Sequence, residues 1–132
     1  MAVNILVVDD SAVMRSMIQK TLTLSGLQIG EIHQAGNGRE GLAALESKWI
    51  DLVIVDINMP VMNGEEMIAQ MRTRSETKET PTIVVSTEGS QTRIDRLQRF
   101  GVRFIHKPFS PESIRDVVKE MLGSEVFNDR SR

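Results

Sequence analysis

Short runs of apolar residues alternate along the chain with stretches in which apolar residues recur every three or four positions. The nearly continuous runs are typical of strands buried on both faces of a parallel sheet. Candidate strands lie over 3–8, about 31–35, 52–55, 82–85 and 102–106. The stretches that follow them predict amphipathic helices. This repeated order of strand and helix predicts an α/β domain, with a parallel sheet between two layers of helices and right-handed crossovers.

Capping residues mark where several of these helices begin. Ser11, Asn37 and Ser110 have side-chain oxygens that can accept from the free N–H groups of a helix start. The segment 72–80 is polar and is predicted to be a surface loop, whereas the helix over about 91–100 has a thin apolar stripe and is expected to be the most mobile element. The inner faces of the first two helices are expected to carry Met14, Met17, Ile18, Thr21 and Leu22, then Leu42, Leu45 and Trp49.

The length of 132 residues, 40% of them apolar, is sufficient for one domain with its own core. We predict a domain over 1–123 and a flexible polar tail over 124–132. The lack of cysteine excludes disulfides and thiolate metal sites. No run approaches the roughly 18 apolar residues of a membrane span, and the start of the chain lacks the basic region of a secretory signal. We therefore expect a cytoplasmic protein without membrane contact.

Charge and aromatic content bear on possible partners. The net charge is −2, from 16 basic and 18 acidic residues, and the basic residues form no concentrated stripe. Four Phe and one Trp leave little material for a surface that stacks on bases. Direct binding of nucleic acid is therefore not expected.

Chemically capable side chains follow four of the predicted strands. These strand ends carry Asp9 and Asp10, Asp56, Ser86 and Thr87, and Lys107. Any one of these residues has an ordinary explanation as a turn residue, a helix cap or a solvated charge. In an open parallel sheet, however, ligands bind beyond the carboxyl ends of the strands. Their convergence on one edge of the sheet predicts a functional site there.

Three carboxylates held close together repel one another and need a counterion. Mg²⁺ takes oxygen ligands and is commonly held by one or two carboxylates together with phosphate and water. We assign Asp10 and Asp56 as direct metal ligands, with Asp9 acting through bound water. The backbone carbonyl of Asn58 is a further candidate ligand, because the chain turns over the site there.

A phosphoryl donor can supply the remaining oxygen ligand of such a metal. Asp56 can then act as the nucleophile and form an acyl phosphate, while the metal neutralises the charge in transfer. Lys107 can pair with one phosphoryl oxygen, and the hydroxyl of Ser86 can donate to another.

Three segments together carry a family resemblance: Ile-Leu-Val-Val-Asp-Asp at 5–10, Asp-Ile-Asn-Met-Pro-Val-Met-Asn-Gly at 56–64, and Lys-Pro-Phe at 107–109. With these spacings, the chain resembles the receiver domain of two-component response regulators, especially the single-domain chemotaxis type. The resemblance extends over about residues 3–122. The combination is highly specific, although no single segment would be.

The resemblance implies a flavodoxin-like (βα)5 three-layer sandwich with strand order 2-1-3-4-5. It also implies a stand-alone switch rather than an enzyme, one that assists its own Mg²⁺-dependent phosphorylation and dephosphorylation. The donor would be a sensor histidine kinase or a histidine phosphotransfer protein. The output would be binding to a protein such as a flagellar-motor component or the next carrier of a phosphorelay. A monomer is the simpler expectation, and the bond between Lys107 and Pro108 is expected to be cis.

The resemblance also suggests roles for residues around the phosphoacceptor. Ser86 is placed at the hydroxyl position of the fourth strand, with Thr87 as the alternative. Phe104 occupies the position of the family's aromatic switch, although a simple core role is the alternative. Asn58 and Glu88 lie where the family tunes the attack of water on the acyl phosphate, and this pair predicts fast self-dephosphorylation.

Three other functions could use parts of this pattern. A phosphohydrolase of the haloacid-dehalogenase type also uses a nucleophilic Asp with Mg²⁺, but it normally has a second Asp two residues later, where this chain has Asn58. A degenerate receiver would serve only for docking, but all of the acidic residues and Lys107 are present. A flavodoxin-like redox carrier would need a phosphate-cradling loop where Asp9 and Asp10 lie instead.

Overall fold

Five parallel strands form one sheet in the order 2-1-3-4-5 in the computed structural model, which describes residues 2–127. The strands are β1 (Val3–Val8), β2 (Ile29–Ala35), β3 (Leu52–Val55), β4 (Thr82–Ser86) and β5 (Arg103–His106). Because β1 pairs with both β2 and β3, the strand order reverses beside β1. A crevice at the carboxyl ends of β1 and β3 is therefore the expected place for a ligand.

Helices cover both faces of the sheet, as the pattern predicts. They are α1 (Ala12–Leu24), α2 (Gly38–Ser47), α3 (Gly64–Thr73), α4 (Gln91–Gln98) and α5 (Pro111–Leu122), followed by a 3₁₀ helix, Ser124–Val126. Alternate residues of β1 point to opposite sides: Ile5 packs in a core with α1 and α5, whereas Leu6 packs in a second core with α2, α3 and α4. The predicted three-layer flavodoxin-like sandwich is confirmed.

The predicted caps are present. Ser11 accepts a hydrogen bond from the N–H of Met14, and Asn37 accepts one from the N–H of Glu40. Ser110 exchanges hydrogen bonds with Ser113 at the start of α5. These bonds satisfy N–H groups that have no partner within a helix, so each cap fixes where its helix leaves the carboxyl edge of the sheet.

Two residues expected on inner helix faces are exposed instead. Met17 is 51% exposed on α1, and Trp49 is 79% exposed. Trp49 is outside the helix, because α2 ends at Ser47 and Lys48 is extended. The indole N–H of Trp49 donates to Asp51 at 3.2 Å. The prediction of Trp49 on an inner helix face is therefore wrong, because α2 ends two residues before it.

The polar segment 72–80 is more structured than a simple surface loop. Helix α3 continues to Thr73, and Thr77 is buried with its hydroxyl donating to the carbonyl of Met71 at 2.8 Å. The guanidinium of Arg72 donates to the carbonyls of Phe100 at 2.8 Å and Thr80 at 3.1 Å. Polar side chains in this segment donate hydrogen bonds to backbone carbonyls. The polar composition of the segment does not by itself predict this structural role.

The packed structure continues beyond the predicted domain boundary at residue 123. Val126 and Phe127 are buried in the core beside α1 and α5. The N–H of Gln28 donates to the carbonyl of Val126 at 2.8 Å, and the guanidinium of Arg115 lies 5.0 Å from the ring centre of Phe127. The packed structure therefore extends to Phe127, past the predicted start of the tail at 124, and residues 128–132 lie outside the described residues.

Helix α4 covers Gln91–Gln98 and buries Ile94 and Leu97, the thin apolar stripe expected from the sequence. Its greater mobility stays a prediction. Among residues 2–127, no helix combines the length and apolar character needed to cross a membrane.

Candidate functional site

Backbone hydrogen bonds between strand ends assemble the site. The N–H of Asp56 donates to the carbonyl of Val8 at 3.0 Å, which joins the ends of β3 and β1. The N–H of Lys107 donates to the carbonyl of Ser86 at 2.9 Å, which joins β5 and β4. The side chains that follow these strands therefore project from one edge of the sheet, as predicted.

Gly64 allows α3 to begin directly against this edge. A Cβ atom at Gly64 would collide with the carbonyl oxygen of Asp56. The N–H of Gly64 instead donates to the carbonyl of Ile57 at 2.8 Å, so the two backbones pack closely. The glycine in the segment 56–64 thus fixes the loop that follows Asp56.

The three predicted carboxylates come together. One oxygen from each of Asp9, Asp10 and Asp56 lies within 4.8 Å of the other two. Asp9 is buried, Asp56 is half-buried and Asp10 is exposed, so the group opens to solvent on the side of Asp10. Clustered carboxylate oxygens with one open side suit a hard divalent cation that keeps some of its water, as Mg²⁺ does.

The buried position of Asp9 disfavours its charged form. Burial raises the pKa of its carboxyl above the ordinary value of 3.8, and the nearby Asp56 adds to that effect. A hydrogen bond from the N–H of Ser11 at 2.9 Å and the charge of Lys107 partly offset the increase. A buried carboxylate that is incompletely compensated favours a bound cation.

Lys107 bridges two of the three carboxylates. Its Nζ lies 3.3 Å from Oδ2 of Asp9 and 3.2 Å from Oδ2 of Asp56. The other oxygen of Asp56, Oδ1, accepts a hydrogen bond from the N–H of Ile57 at 2.7 Å. Both carboxylate oxygens of Asp56 are therefore held by hydrogen bonds, one from the backbone and one from the ammonium.

Ser86 and Thr87 have different surroundings. Ser86 ends β4 and is 1% exposed, and its hydroxyl oxygen accepts a hydrogen bond from the N–H of Glu88 at 3.2 Å. Thr87 is exposed. Phe104 is half-buried in β5 and packs against the core beneath α4, with its ring centre 4.7 Å from that of His106. Phe104 thus already contributes to the core.

Arg93, which the sequence analysis did not single out, joins Asn58 and Glu88. Its Nη1 donates to Oδ1 of Asn58 at 3.2 Å and to Oε1 of Glu88 at 3.0 Å. The position of Arg93 on the first turns of α4 is readable from the sequence, but its contact with a residue 35 positions away is not. Arg15 was also missed, and its Nη1 donates to the carbonyl of Asp9 at 2.6 Å.

Comparisons with known proteins identify the family. The family model for the response regulator receiver domain matches residues 5–119. A chemotaxis protein CheY homolog of Campylobacter jejuni is 34% identical over 123 residues, which cover 92% of this chain and 93% of the relative. Chemotaxis protein CheY1 of Helicobacter pylori is 34% identical, with coverage of 92% and 98%. The structure of Vibrio cholerae chemotaxis protein CheY4 has a TM-score of 0.80 and 34% identity, with coverage of 92% and 100%.

The chain belongs to the response regulator receiver domain family. Its similarity to chemotaxis receivers extends along nearly the whole length of those relatives. The predicted family and the general function, that of a CheY-like receiver that accepts a phosphoryl group on an aspartate, are confirmed. The acidic group is compatible with the Mg²⁺ that such a receiver uses.

Proposed function

We propose that this protein is a signalling switch that accepts a phosphoryl group on Asp56 from a sensor histidine kinase or a histidine phosphotransfer protein. One observation carries the assignment to this residue. The carboxylate of Asp56 is half-buried at the end of β3, with Lys107 Nζ 3.2 Å from Oδ2 and two further carboxylates beside it. Asp9 is deeply buried and Asp10 is the most exposed, so Asp56 is the carboxylate with both access and a fixed position.

The residues divide the work of phosphoryl transfer. An oxygen of Asp56 forms the new bond to phosphorus while the bond from phosphorus to the donor nitrogen or oxygen breaks, which leaves an acyl phosphate. Lys107 would pair with a phosphoryl oxygen once that charge arrives, because its Nζ already contacts the carboxylate on which the phosphoryl group would form. The hydroxyl of Ser86 is the proposed donor to a second phosphoryl oxygen.

Asp9, Asp10 and Asp56, together with the backbone carbonyl of Asn58, are the proposed Mg²⁺ ligands, with Asp9 acting through water. When bound, the ion would neutralise charge on the group being transferred. This role fits the chemistry of the donors, since among residues 2–127 the three carboxylates form ion pairs only with the ammonium of Lys107. We also propose that Asn58 and Glu88 orient the water that later hydrolyses the acyl phosphate, so that the switch resets itself.

The proposed switch couples the site to a surface. When Asp56 is phosphorylated, Ser86 would move toward the phosphoryl group and reshape the loop after β4. Phe104 would fill the space that this movement leaves, and the face formed by α4, β5 and α5 would change. A bias of a few kcal/mol between the two states is sufficient, because differential contacts set such equilibria.

A receiver of this kind passes its signal to a downstream protein. The chemotaxis names of the relatives favour a flagellar-motor component as the target, and the next carrier of a phosphorelay is the alternative. We propose that the protein acts in the cytoplasm as a monomer, without direct binding to nucleic acid or membrane.

The test is intact mass after incubation with acetyl phosphate and Mg²⁺, for wild type, Asp56→Asn and Asp116→Asn. Asp116 is an exposed acid of α5 and serves as the matched control. We expect one phosphoryl group on wild type and on Asp116→Asn, and none on Asp56→Asn or after chelation of the metal. A wild type that gains no mass under conditions that preserve acyl phosphates would instead indicate a receiver used only for docking.

A further inference from the structure

Arg93 lies at the centre of a polar cluster beside the phosphoacceptor. Its guanidinium contacts Asn58 from the loop after β3, Glu88 from the loop after β4 and Glu65 from the first turn of α3. The side chain is 24% exposed, and its Nε is buried, 3.6 Å from Oε1 of Glu65. Because the guanidinium contacts two loops and the first turn of α3, it is in a position to fix their relative geometry.

Glu88 depends on this cation. Its Oε1 accepts from Nη1 of Arg93 at 3.0 Å, and its Oε2 accepts from the N–H of Ser90 at 3.1 Å. Glu88 follows β4 at the same edge of the sheet as the acidic group, and a phosphoryl group on Asp56 would add further negative charge there. Without Arg93, like-charge repulsion would favour a Glu88 conformation that points away from the site.

Asn58 is bound to the same nitrogen. Nη1 of Arg93 donates to Oδ1 of Asn58 at 3.2 Å, so one nitrogen fixes both side chains that are proposed to orient the hydrolytic water. An oxygen that accepts one hydrogen bond retains a second lone pair. Asn58 and Glu88 can therefore be held by Arg93 and still accept from a water molecule.

We infer that Arg93 is a positioning residue that holds Asn58 and Glu88 in place for hydrolysis of the acyl phosphate. The inference rests on the proposed function, because it requires a phosphoryl group on Asp56. In the reaction, the water oxygen bonds to phosphorus, the bond from phosphorus to the Asp56 oxygen breaks, and the water proton passes to the solvent or to phosphate. The products are the Asp56 carboxylate and inorganic phosphate.

A structural role for Arg93 must be separated from this one, because its contact with Glu65 also ties α4 to α3. Arg96 makes the stronger contact with Glu65, with its Nη2 3.0 Å from Oε1. Its hydrogen bonding is the main reason that the pKa of Glu65 is lowered. Within residues 2–127, Arg96 makes no hydrogen bond to Asn58 or Glu88. Arg96→Ala is therefore a matched control that weakens the link between the helices and leaves the pair at the site intact.

The experiment measures the hydrolysis rate of the phosphorylated protein after acetyl phosphate is removed, in wild type, Arg93→Ala and Arg96→Ala. We expect Arg93→Ala to hydrolyse about fivefold more slowly, a small part of the roughly 100-fold that a positioned acid–base group supplies. Arg96→Ala should match wild type. The rate of phosphorylation by acetyl phosphate should change by less than about twofold in both, because that step needs no oriented water.

A mutant cycle that removes Asn58 and Glu88 together tests whether Arg93 acts through this pair. In a protein that already carries Asn58→Ala and Glu88→Ala, the further change Arg93→Ala should have no effect on hydrolysis. Arg93→Gln keeps a donor and most of the volume but not the charge, and it should also slow hydrolysis. It takes the place of Arg93→Ala if thermal unfolding shows that the alanine variant does not fold.

Several results would overturn the inference. The first is unchanged or faster hydrolysis in the Arg93 variants. The second is equal slowing in Arg96→Ala. The third is a full effect of Arg93→Ala in the protein that already carries Asn58→Ala and Glu88→Ala. These outcomes leave the proposed function intact, because each requires a phosphorylated protein. A wild type that takes up no phosphoryl group removes the proposed function itself and this inference with it.

Discussion

Lys107 reaches Asp56 across 51 positions of sequence, with Nζ 3.2 Å from Oδ2, and the same nitrogen lies 3.3 Å from Oδ2 of Asp9. Only 13% of the Lys107 side chain is exposed, so this ammonium is a strongly held counterion of the acidic group. Lys107 and an added divalent cation would therefore compensate the same carboxylates. The two positive charges would also repel each other.

Removing Lys107 should have opposite effects on stability and on metal binding. We expect Lys107→Met to lower the free energy of unfolding of the metal-free protein by roughly 2 kcal/mol, the scale of a hydrogen bond to a charged group. Mg²⁺ should then bind about tenfold more tightly, because a competing cation is absent. Denaturant unfolding with a chelator and calorimetric titration with Mg²⁺ measure the two quantities.

Lys119→Met removes the same charge from an exposed position of α5 and is the control for Lys107→Met. It should change neither quantity appreciably. Equal Mg²⁺ affinity in Lys107→Met and wild type would contradict the competition that we describe.

Asp9 should make the metal-free protein less stable as the pH rises. Burial raises the pKa of Asp9 above 3.8, so the folded protein holds this proton more tightly than the unfolded chain does. The stabilisation is fully present below pH 3.8 and is lost as the pH rises through the raised pKa. Asp9→Asn should consequently be more stable than wild type at pH 7 in the presence of a chelator, with the difference disappearing below pH 3.8.

Mg²⁺ should reverse that ranking. An ion held at the acidic group, with Asp9 acting through water as proposed, would favour the ionised carboxylate and stabilise the folded state by mass action. Asp10→Asn is the comparison, since it removes the same charge from an exposed position of the same group. Thermal unfolding between pH 3 and 8, with and without Mg²⁺, tests both statements. A wild type that remains more stable than Asp9→Asn at neutral pH without metal would show that Lys107 compensates Asp9 fully.

The sequence predicts much of this site because each of its residues can be recognised from the short segment around it. Asp9, Asp56 and Lys107 each follow a buried strand, and the rule that parallel strands end at one edge brings them together without further knowledge. Arg93 could not be found in the same way, because its contacts depend on how α4 lies against two loops. Trp49 was placed wrongly for a different reason, since apolar periodicity does not mark the residue at which a helix ends.

The burial of Ser86 and the exposure of Thr87 make them a matched pair for testing the switch. We expect Ser86→Ala to accept the phosphoryl group but to weaken the effect of phosphorylation on binding to the downstream protein. Thr87→Ala should retain the full effect. Phosphorylation-dependent partner binding that survives in Ser86→Ala and fails in Thr87→Ala would assign the switching hydroxyl to Thr87.

Phe127 should contribute strongly to stability although it lies beyond the predicted domain boundary. Its side chain is 5% exposed, packs in the core beside α1 and α5, and lies under the guanidinium of Arg115. Phe127→Ala should lower the free energy of unfolding by about 3 kcal/mol, as removal of a buried aromatic ring does. Leu24→Ala, at a position 65% exposed on α1, should stay within about 0.5 kcal/mol of wild type by denaturant unfolding. If Phe127→Ala leaves the free energy of unfolding unchanged, the prediction of a flexible tail from residue 124 stands. The expected decrease would place the end of the folded domain at or beyond Phe127.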